Sequence, residues 1–434
     1  MGKGQDLWKT AKTVIPGGNM LLSKRPEMFL PEQWPAYFSR TAGCKVWDLD
    51  GRDYVDMSIM GIGCNTLGYG RPEVDVAVKR AVDLGNMATL NAPEEVELAQ
   101  RLVALHPWAD MARFARSGGE ANAIAIRIAR AASGKDGVAI CGYHGWHDWY
   151  LASNLGDESQ LAGHLLPGLS PNGVPQHLRG SVFAFNYNRI DELEALIRTQ
   201  SIGVIKMEVS RNYEPDPDFL VRVRALADAH NIVLVFDECT SGFRQSFGGL
   251  HKVYGVDPDM AVFGKALGNG YAVTGVIGKR DIMEAAQTTF ISSTFWTERL
   301  GSVAALATLD VMEAEQSWDR ITATGRHITS RWQALGQKYG LPLTTAGLPA
   351  LTAFSIKGPN AQAYKTLITQ EMLAKGYLAG TSVYTCIEHT PQVVDDYFHA
   401  LEPVFSLIRE CEDGRDVATL LKGPIAHSGF SRLN

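Results

Sequence analysis

The sequence has no excess of positive charge. Its 434 residues carry 41 Lys and Arg against 47 Asp and Glu, which gives a formal net charge of −6 at pH 7. Because proteins that bind nucleic acids rely on clustered basic residues, this balance argues against a nucleic-acid partner.

Cysteine is scarce, and long apolar runs are absent. The six cysteines form no C-x-x-C pair and no compact group with histidine, so we expect neither a metal site nor a disulfide framework. No window reaches the roughly 18 apolar residues of a membrane-spanning helix, and the first residues lack the apolar core of a signal peptide. We therefore expect a soluble, cytoplasmic protein with no membrane partner.

Two nucleotide-binding motifs are missing as well. The sequence contains no G-x-x-x-x-G-K-[ST] loop, and no G-x-G-x-x-G follows the first strand. Since these glycine patterns hold the phosphates of nucleotides and of NAD, an NAD-linked dehydrogenase is disfavoured.

Strand-like and helix-like segments alternate through the middle of the chain. Short, nearly all-apolar runs, typical of strands buried on both faces of a parallel sheet, lie at 137–141, 203–209, 232–236 and 260–263. Apolar residues at helical spacing predict helices at 74–84, 93–105, 121–132, 190–199 and 219–230. This alternation predicts an α/β fold with a mostly parallel sheet flanked by helices.

The two ends of the chain differ from this pattern. Residues before Gly43 are rich in Pro and Gly and resemble an arm, and 45–57 is typical of a hairpin around Asp50-Gly51. Helices are predicted at 302–315, 320–339 and 392–409. We predict an N-terminal arm and hairpin (1–57) that joins a smaller α+β domain, a large domain (58–300) and a small C-terminal domain (301–434).

Two carboxylates end one of the predicted strands. Asp237 and Glu238 directly follow the apolar run 232–236, which would place them at the carboxyl edge of the sheet, where α/β proteins bind their ligands. The alternative is that Asp237 caps the next loop and Glu238 faces water.

A single lysine follows another predicted strand. Lys265 comes after the run 260–263 and begins a glycine-containing turn that reaches Gly270. A lysine in such surroundings can lose its charge and form an imine with a carbonyl group. Alternatively, its side chain extends from the strand end into water.

A serine and two glycines precede the helix predicted at 121–132. Ser117, Gly118 and Gly119 would offer a hydroxyl and backbone N–H groups at the positive end of the helix dipole, an arrangement that binds phosphate. An ordinary helix cap is the alternative.

Aromatic residues and histidines are concentrated in one loop. Four aromatic residues and two histidines occur within the eight residues 143–150, where the rings could stack on a flat ligand or pack in the core. Two histidines and an aspartate without a third-ligand signal elsewhere do not predict a metal site.

Together the four segments predict one cofactor, pyridoxal 5′-phosphate (PLP). They supply a phosphate cradle, an aromatic residue for the ring face, an acid for the pyridinium nitrogen and a lysine for the aldehyde. With its ring nitrogen protonated, PLP accepts the electrons that are released when a substrate Cα–H bond breaks.

The chain resembles the class III aminotransferases of the fold-type-I group, and most closely glutamate-1-semialdehyde 2,1-aminomutase and its aminotransferase relatives. The motifs that carry the resemblance extend over most of the chain: Pro16-Gly17-Gly18, Trp47-Asp48-Leu49-Asp50-Gly51, Pro93-Glu94-Glu95-Val96, Arg116-Ser117-Gly118-Gly119-Glu120-Ala121, Tyr143-His144-Gly145, Asp237-Glu238, Gly242-Phe243-Arg244 and Gly264-Lys265. The resemblance implies a fold-type-I PLP-dependent transferase, in which 58–300 would be the PLP-binding domain.

The resemblance implies roles for the residues of the first three segments. Lys265 would form the imine with PLP and then move the substrate proton. Asp237 would pair with the pyridinium nitrogen, and Ser117, Gly118 and Gly119 would hold the phosphate.

It also implies contacts with the ring and with a second subunit. Tyr143 would stack on one face of the ring, Cys239 would pack on the opposite face, and Glu208 would lie near the ring's edge. Thr294 matches a threonine that in the family reaches the phosphate of the neighbouring subunit, which implies a homodimer with active sites at the subunit interface.

Departures from the family pattern favour an intermolecular aminotransferase. In the aminomutase, a glycine-rich run after the threonine belongs to a mobile gate that retains an intermediate, whereas here Phe295, Trp296 and Glu298 stand in its place. We therefore expect transfer of an amino group from an amino-acid donor, such as glutamate, to an aldehyde or ketone, for example a sugar or another polar carbonyl compound. The aminomutase, which is an isomerase, and a PLP-binding protein without turnover are the alternatives.

Six residues are candidates for binding the small-molecule substrate. Three come from the aromatic loop, one from a matched motif and one from the segment that replaces the glycine-rich run, and the sixth, in the N-terminal arm, matches a substrate-carboxylate arginine of the family. They are His144, Trp146, His147, Arg244, Trp296 and Arg25.

Overall fold

The computed structural model describes residues 2–157, 159–164, 170–210, 212 and 214–429. Its strands are β1 (Phe38–Ala42), β2 (Lys45–Asp48), β3 (Asp53–Met57), β4 (Met111–Ala115), β5 (Gly137–Cys141), β6 (Val182–Ala184), β7 (Ile202–Glu208), β8 (Val233–Glu238), β9 (Met260–Phe263), β10 (Thr274–Gly278), β11 (Leu343–Ala346), β12 (Leu351–Ile356), β13 (Tyr377–Ala379) and β14 (Ser382–Tyr384). Its helices are α1 (Lys3–Val14), α2 (Met60–Gly63), α3 (Pro72–Leu84), α4 (Glu94–Leu105), α5 (Gly118–Ser133), α6 (Asp148–Leu151), α7 (Ile190–Thr199), α8 (Phe219–His230), α9 (His251–Tyr254), α10 (Arg280–Met283), α11 (Arg299–Glu315), α12 (Ser317–Lys338), α13 (Ala361–Ala374) and α14 (Pro391–Glu412).

Residues 72–319 form the larger of two compact units. Its seven-stranded sheet has the order β4-β10-β9-β8-β7-β5-β6. The strands from β9 to β6 pair in parallel, whereas β10 pairs antiparallel with both β9 and β4. The predicted α/β fold with a mostly parallel sheet is confirmed.

Most of the longer elements of this unit lie close to their predicted positions. β5, β9, α7 and α8 have the predicted bounds, and β7 begins one residue earlier than predicted. The sequence analysis missed β4, β6 and β10, together with the short helices α6, α9 and α10. β4 is only partly buried and contains Arg113, and β10 contains two glycines, so neither forms the continuous apolar run of branched side chains that indicates a buried strand.

Helix α5 begins and ends where its sequence dictates. The Ser117 hydroxyl and the Glu120 carboxylate exchange hydrogen bonds with each other's backbone N–H groups, which is a capping box. The helix ends before Gly134, whose φ of +66° suits glycine. The buried alanines and isoleucines of α5 pack against β7, β8, β9 and β10, and the helix begins beside the carboxyl ends of the parallel strands β7, β8 and β9.

Residues 1–71 and 320–434 form the smaller unit. It contains the sheets β1-β2-β3-β13 and β11-β12-β14, and β2 and β3 form the predicted antiparallel hairpin. The predicted arm contains a helix that the sequence analysis missed, α1, in which Trp8 and Ala11 are buried.

Both boundaries between the units lie further along the chain than the predicted 57/58 and 300/301. Packing explains the difference: α11 lies against α3 and α4 in the larger unit, whereas Tyr69 donates to Asp56 Oδ2 at 2.6 Å in the smaller one. Within the described part of the chain, no helix combines the length and apolar character needed to cross a membrane.

Candidate active site

Three neighbouring strands of the larger unit end together at one edge of the sheet. Glu208, the last residue of β7, lies opposite Asp237 in β8, and Lys265 follows β9 after a single glycine. Lys265 Nζ donates to Thr240 Oγ1 at 2.9 Å, in the loop that follows β8. The structure therefore places the predicted acid and the predicted lysine at the ends of adjacent strands.

Asp237 is buried and its carboxylate is held by several donors. Its Oδ2 accepts hydrogen bonds from Asn122 Nδ2 and His144 Nδ1, each at 2.8 Å, and its Oδ1 accepts one from the Cys239 N–H at 3.1 Å. Lys206 Nζ lies 3.9 Å from Oδ2. Burial acts to raise the pKa of Asp237, but Lys206 and His144 outweigh it and hold the pKa below its ordinary value. This aspartate is therefore a permanent negative charge at neutral pH.

Glu238 is also fully buried, so the alternative that it faces water is wrong. Strand alternation turns its side chain away from Asp237, towards Ser241, Leu250 and His251. It accepts from the Leu250 and His251 N–H groups at 2.9 and 3.0 Å, from His251 Nδ1 at 2.8 Å and from Ser241 Oγ at 2.5 Å. Because the Trp108 indole donates to His251 Nε2 at 2.9 Å, the N–H that His251 donates to Glu238 is the one on Nδ1. Glu238 thus fixes the loop that follows β8.

Replacing Glu238 by glutamine is expected to lower the free energy of unfolding by about 3 kcal/mol at pH 7, because an amide would face donors that now bond a charged acceptor. Burial acts to raise the pKa of Glu238, but hydrogen bonds from His251 and Ser241 lower it further than burial raises it. The carboxylate's contribution is therefore complete above about pH 4.3, the ordinary pKa of glutamate. It is lost as the pH falls through the lower folded-state pKa.

Urea unfolding of both proteins, followed by tryptophan fluorescence from pH 7 down to about pH 3, measures this difference. The gap between wild type and Glu238→Gln should narrow as the pH falls. Glu284→Gln removes a largely exposed carboxylate and should cost less than about 0.5 kcal/mol. An equally small loss for Glu238→Gln would contradict the assignment.

The first turn of α5 is in close contact with its surroundings. A Cβ on Gly119 would lie 2.8 Å from the ring of His147, one on Gly145 would lie 3.0 Å from Gly119 Cα, and one on Gly118 would lie 3.5 Å from Cys239 Sγ. The first N–H groups of a helix have no acceptor within the helix. The predicted cradle 117–119 is thus a row of backbone donors that contacts the 142–147 loop and the end of β8.

The aromatic loop is anchored to Glu208. Gly142 has a φ of +113°, and a Cβ there would lie 2.6 Å from Glu208 Oε2, so glycine is required. The Tyr143 N–H donates to Glu208 Oε2 at 3.0 Å, and the Tyr143 ring packs edge-on against Tyr150. These contacts hold Tyr143 at the same edge of the sheet as Asp237.

The histidines and the tryptophan of this loop have three different environments. His144 is fully buried and bonded to Asp237, so its expected role in binding the substrate is corrected: its ring contacts the aspartate carboxylate. His147 packs beside Gly119, and Trp146 is 70% exposed and stacks near His147.

The segment 294–298 is tied to the start of α5. Thr294 is exposed, Trp296 Nε1 donates to Glu120 Oε1 at 3.2 Å, and Arg116 forms an ion pair with Glu298 at 2.7 Å. The bulky residues that replace the glycine-rich run therefore hold this segment against the helix.

The two predicted arginines lie in different units. Arg244 is buried, and its Nε donates to Thr240 O at 2.5 Å. It therefore supports the loop whose Thr240 hydroxyl accepts a hydrogen bond from Lys265. Arg25 belongs to the smaller unit, where its guanidinium lies against Gly17.

Sequence reasoning missed three residues of this site. Asn122 follows the cradle inside α5, Thr240 follows the two acids, and Lys206 interrupts the otherwise apolar interior of β7. Of these, Lys206 gave a signal, since a charged residue in a strand buried on both faces is rare. Among residues 2–157, 159–164, 170–210, 212 and 214–429, no group of three or more His, Cys, Asp or Glu side chains is placed to hold a metal ion.

Known proteins resemble this chain in sequence over most of its length. The family model of the class III aminotransferases matches residues 31–398. The 3-aminobutyryl-CoA aminotransferase of Cloacimonas acidaminovorans (strain Evry) is 32% identical over 410 residues, which cover 90% of this chain and 94% of that protein. The glutamate-1-semialdehyde 2,1-aminomutase of Methanothrix thermoacetophila is 31% identical over 360 residues, 81% of each chain.

Solved structures share the fold. FumI from Sphingopyxis sp. MTA144, solved with PLP, superposes with a TM-score of 0.84 at 24% identity over 97% of this chain and 100% of FumI. An omega-transaminase from Sphaerobacter thermophilus superposes with a TM-score of 0.81 at 24% identity over 93% of this chain and 97% of its own. The chain therefore belongs to the class III aminotransferase family, and it is a PLP-dependent transaminase of fold type I.

Proposed function

We propose that the protein moves the amino group of an amino-acid donor, glutamate or a related compound, to a separate aldehyde or ketone acceptor. The observation that carries this proposal is the convergence of Asp237, Lys265 and the glycines of α5 at one edge of the sheet. Bound PLP supplies an aldehyde that bonds covalently to amines and a ring that accepts an electron pair from the substrate.

The residues at this edge fit PLP. His147 Nδ1 is buried and has no hydrogen-bond partner among the described residues, and it lies beside Gly119, where a Cβ would intrude. An unsatisfied ring nitrogen next to a row of helix N–H groups suits the oxygens of a phosphate. We therefore assign Ser117, Gly118, Gly119 and His147 to the phosphate.

Asp237 and Lys265 would have different roles in the reaction: Asp237 would stabilise charge, and Lys265 would transfer a proton. Asp237 would offer its buried negative charge to the ring nitrogen, because the contacts with His144, Asn122 and the Cys239 N–H hold the carboxylate ionised. Lys265 Nζ, released from Thr240, would accept the proton of the donor Cα, hold it, and deliver it to the aldehyde-derived carbon of the cofactor, which is general acid–base catalysis by one amine. Tyr143, Cys239 and Glu208 would confine the ring, and water would be excluded from its buried side.

The hydrogen bond and the ion pair formed by the segment 294–298 favour a transaminase over an aminomutase. Trp296 and Glu298 are bonded to Glu120 and Arg116, so the segment is bulky and held in place. An aminomutase must retain its intermediate behind a closing segment, which suits small and mobile residues better.

A two-stage assay tests the proposal. Amino acids, glutamate and alanine among them, are added singly to the PLP-loaded protein, and conversion of PLP to pyridoxamine phosphate is followed by absorbance. Carbonyl compounds of three classes, a 3-ketoacyl thioester, a hydroxylated aldehyde and a 2-keto acid, are then added to the converted protein. The similarity to 3-aminobutyryl-CoA aminotransferase motivates the first class.

Conversion by a donor and its reversal by an acceptor are expected. If glutamate-1-semialdehyde without any donor gave 5-aminolevulinate as the main reaction, the aminomutase would replace the transaminase. Failure of every donor to convert PLP would favour a PLP-binding protein without turnover.

We also infer a homodimer, in which exposed Thr294 would serve the partner's phosphate. Sedimentation equilibrium tests this inference, and a monomer at micromolar concentration would contradict it. The cytoplasmic location expected from the sequence stays a prediction.

A further inference from the structure

A lysine is buried inside the sheet behind the candidate active site. Lys206 lies in the middle of β7 and is fully buried. Its Nζ has no hydrogen-bond partner among the described residues, and it lies 3.9 Å from Asp237 Oδ2. A buried lysine without a hydrogen bond is costly, since methionine would fill the same space without a polar group.

The carboxylate does not need this lysine as a donor. His144, Asn122 and the Cys239 N–H already bond its two oxygens at 2.8 to 3.1 Å, and a separation of 3.9 Å is too long for a hydrogen bond. Lys206 therefore acts on Asp237 through its charge alone.

We propose that Lys206 competes with the ring nitrogen of PLP for the negative charge of Asp237. Lys206 would thereby lower the affinity of the ring nitrogen for its proton. The proposal rests on the proposed pairing of Asp237 with the ring. It makes Lys206 a tuning residue that acts through Asp237 without touching the substrate.

The charges around Lys206 give the sign of the effect. Burial lowers the pKa of Lys206, and Asp237, then Cys239 and Glu208, act against that lowering. One firmly ionised carboxylate thus faces two basic nitrogens, the amine of Lys206 and the ring nitrogen. Two neighbouring positive charges repel each other in a low-dielectric site, so each proton held on one nitrogen disfavours a proton on the other.

Without Lys206, the negative charge of Asp237 should act on the ring nitrogen alone and stabilise its proton more strongly. A neighbouring charge at about 4–6 Å changes the protonation equilibrium of a group about tenfold or more. We therefore expect the ratio of protonated to unprotonated ring nitrogen to rise about tenfold in Lys206→Met and in Lys206→Gln. The second variant keeps a polar group, so a shared effect reports the lost charge, whereas a packing effect would differ between the two.

PLP labelled with ¹⁵N in the ring, bound to each purified protein, measures this ratio by solid-state NMR over a range of pH. Lys279→Met is the matched control, because Lys279 pairs with the buried carboxylate of Asp259 at 2.8 Å at the opposite end of β9. Its ring signal should equal that of wild type.

Two results would overturn the proposal. One is a ring signal in both Lys206 variants that stays at the wild-type position or moves towards the unprotonated one. The other is a wild-type signal that is fully protonated throughout the range. Asp237→Asn separates this failure from that of the proposed function: if the ring nitrogen keeps its wild-type signal in that variant, the pairing of Asp237 with the ring is wrong.

Discussion

Lys265→Ala is expected to abolish covalent fixation of PLP to the chain by borohydride, and to slow amino-group transfer by at least about 10³-fold, within the range for removing a positioned acid–base group. Lys265 has a φ of +45°, a left-handed conformation that is costly for residues with a Cβ. Alanine bears the same backbone cost, so the substitution tests the amine rather than the turn. Intact-mass measurement after reduction detects the adduct, and peptide mapping places it.

Lys279→Ala is the control for this experiment. It removes a lysine from the beginning of α10, where Lys279 contacts Asp259, and it should keep both the adduct and the rate. A reducible adduct on another lysine of Lys265→Ala would contradict the assignment of Lys265 as the residue that bonds PLP.

Asp237→Asn is expected to leave PLP covalently fixed at Lys265 but to slow donor conversion by about 10³-fold, the upper range for losing one preorganised electrostatic group. The amide has nearly the shape of the carboxylate but carries no charge, and its NH₂ group cannot accept the hydrogen bonds that now come from Asn122 and His144. Stopped-flow absorbance with a single donor measures the conversion rate. Asp281→Asn, on the exposed first turn of α10, should behave as wild type.

The outcome for Asp237→Asn is separable from a folding defect. A variant that keeps the borohydride adduct has a formed site, so a low rate then reports the lost charge. Near-normal conversion by Asp237→Asn would remove the aspartate from the mechanism.

Local signals in the sequence predicted much of the larger unit and the chemically distinctive part of the site. β5 and β9 are completely buried, and this burial is what makes their sequences short apolar runs. Asp237 and Lys265 were singled out because a charged residue is conspicuous directly after such a run, as Asp237 is, or one glycine beyond it, as Lys265 is.

The remaining features depend on contacts between distant segments. Lys206 and Asp237 share a face of the sheet only because β7 and β8 pair with Glu208 opposite Asp237, and no local pattern specifies that register. Helix α1 was missed for a similar reason, since the burial of Trp8 involves a hydrogen bond to Glu27 outside the helix. Contacts of this kind can be recognised only after the fold is known.

The pairing of β4 has a consequence for the order in which the protein assembles. β4, which leads into the Ser117 turn, is an edge strand whose sheet partner is β10, and Ala115 lies opposite Thr274. This pairing closes the loop of chain between β4 and β10, and closing so long a loop is entropically costly and slow. A ribosome must therefore release most of the larger unit, through β10, before the strand that leads into the Ser117 turn can join the sheet.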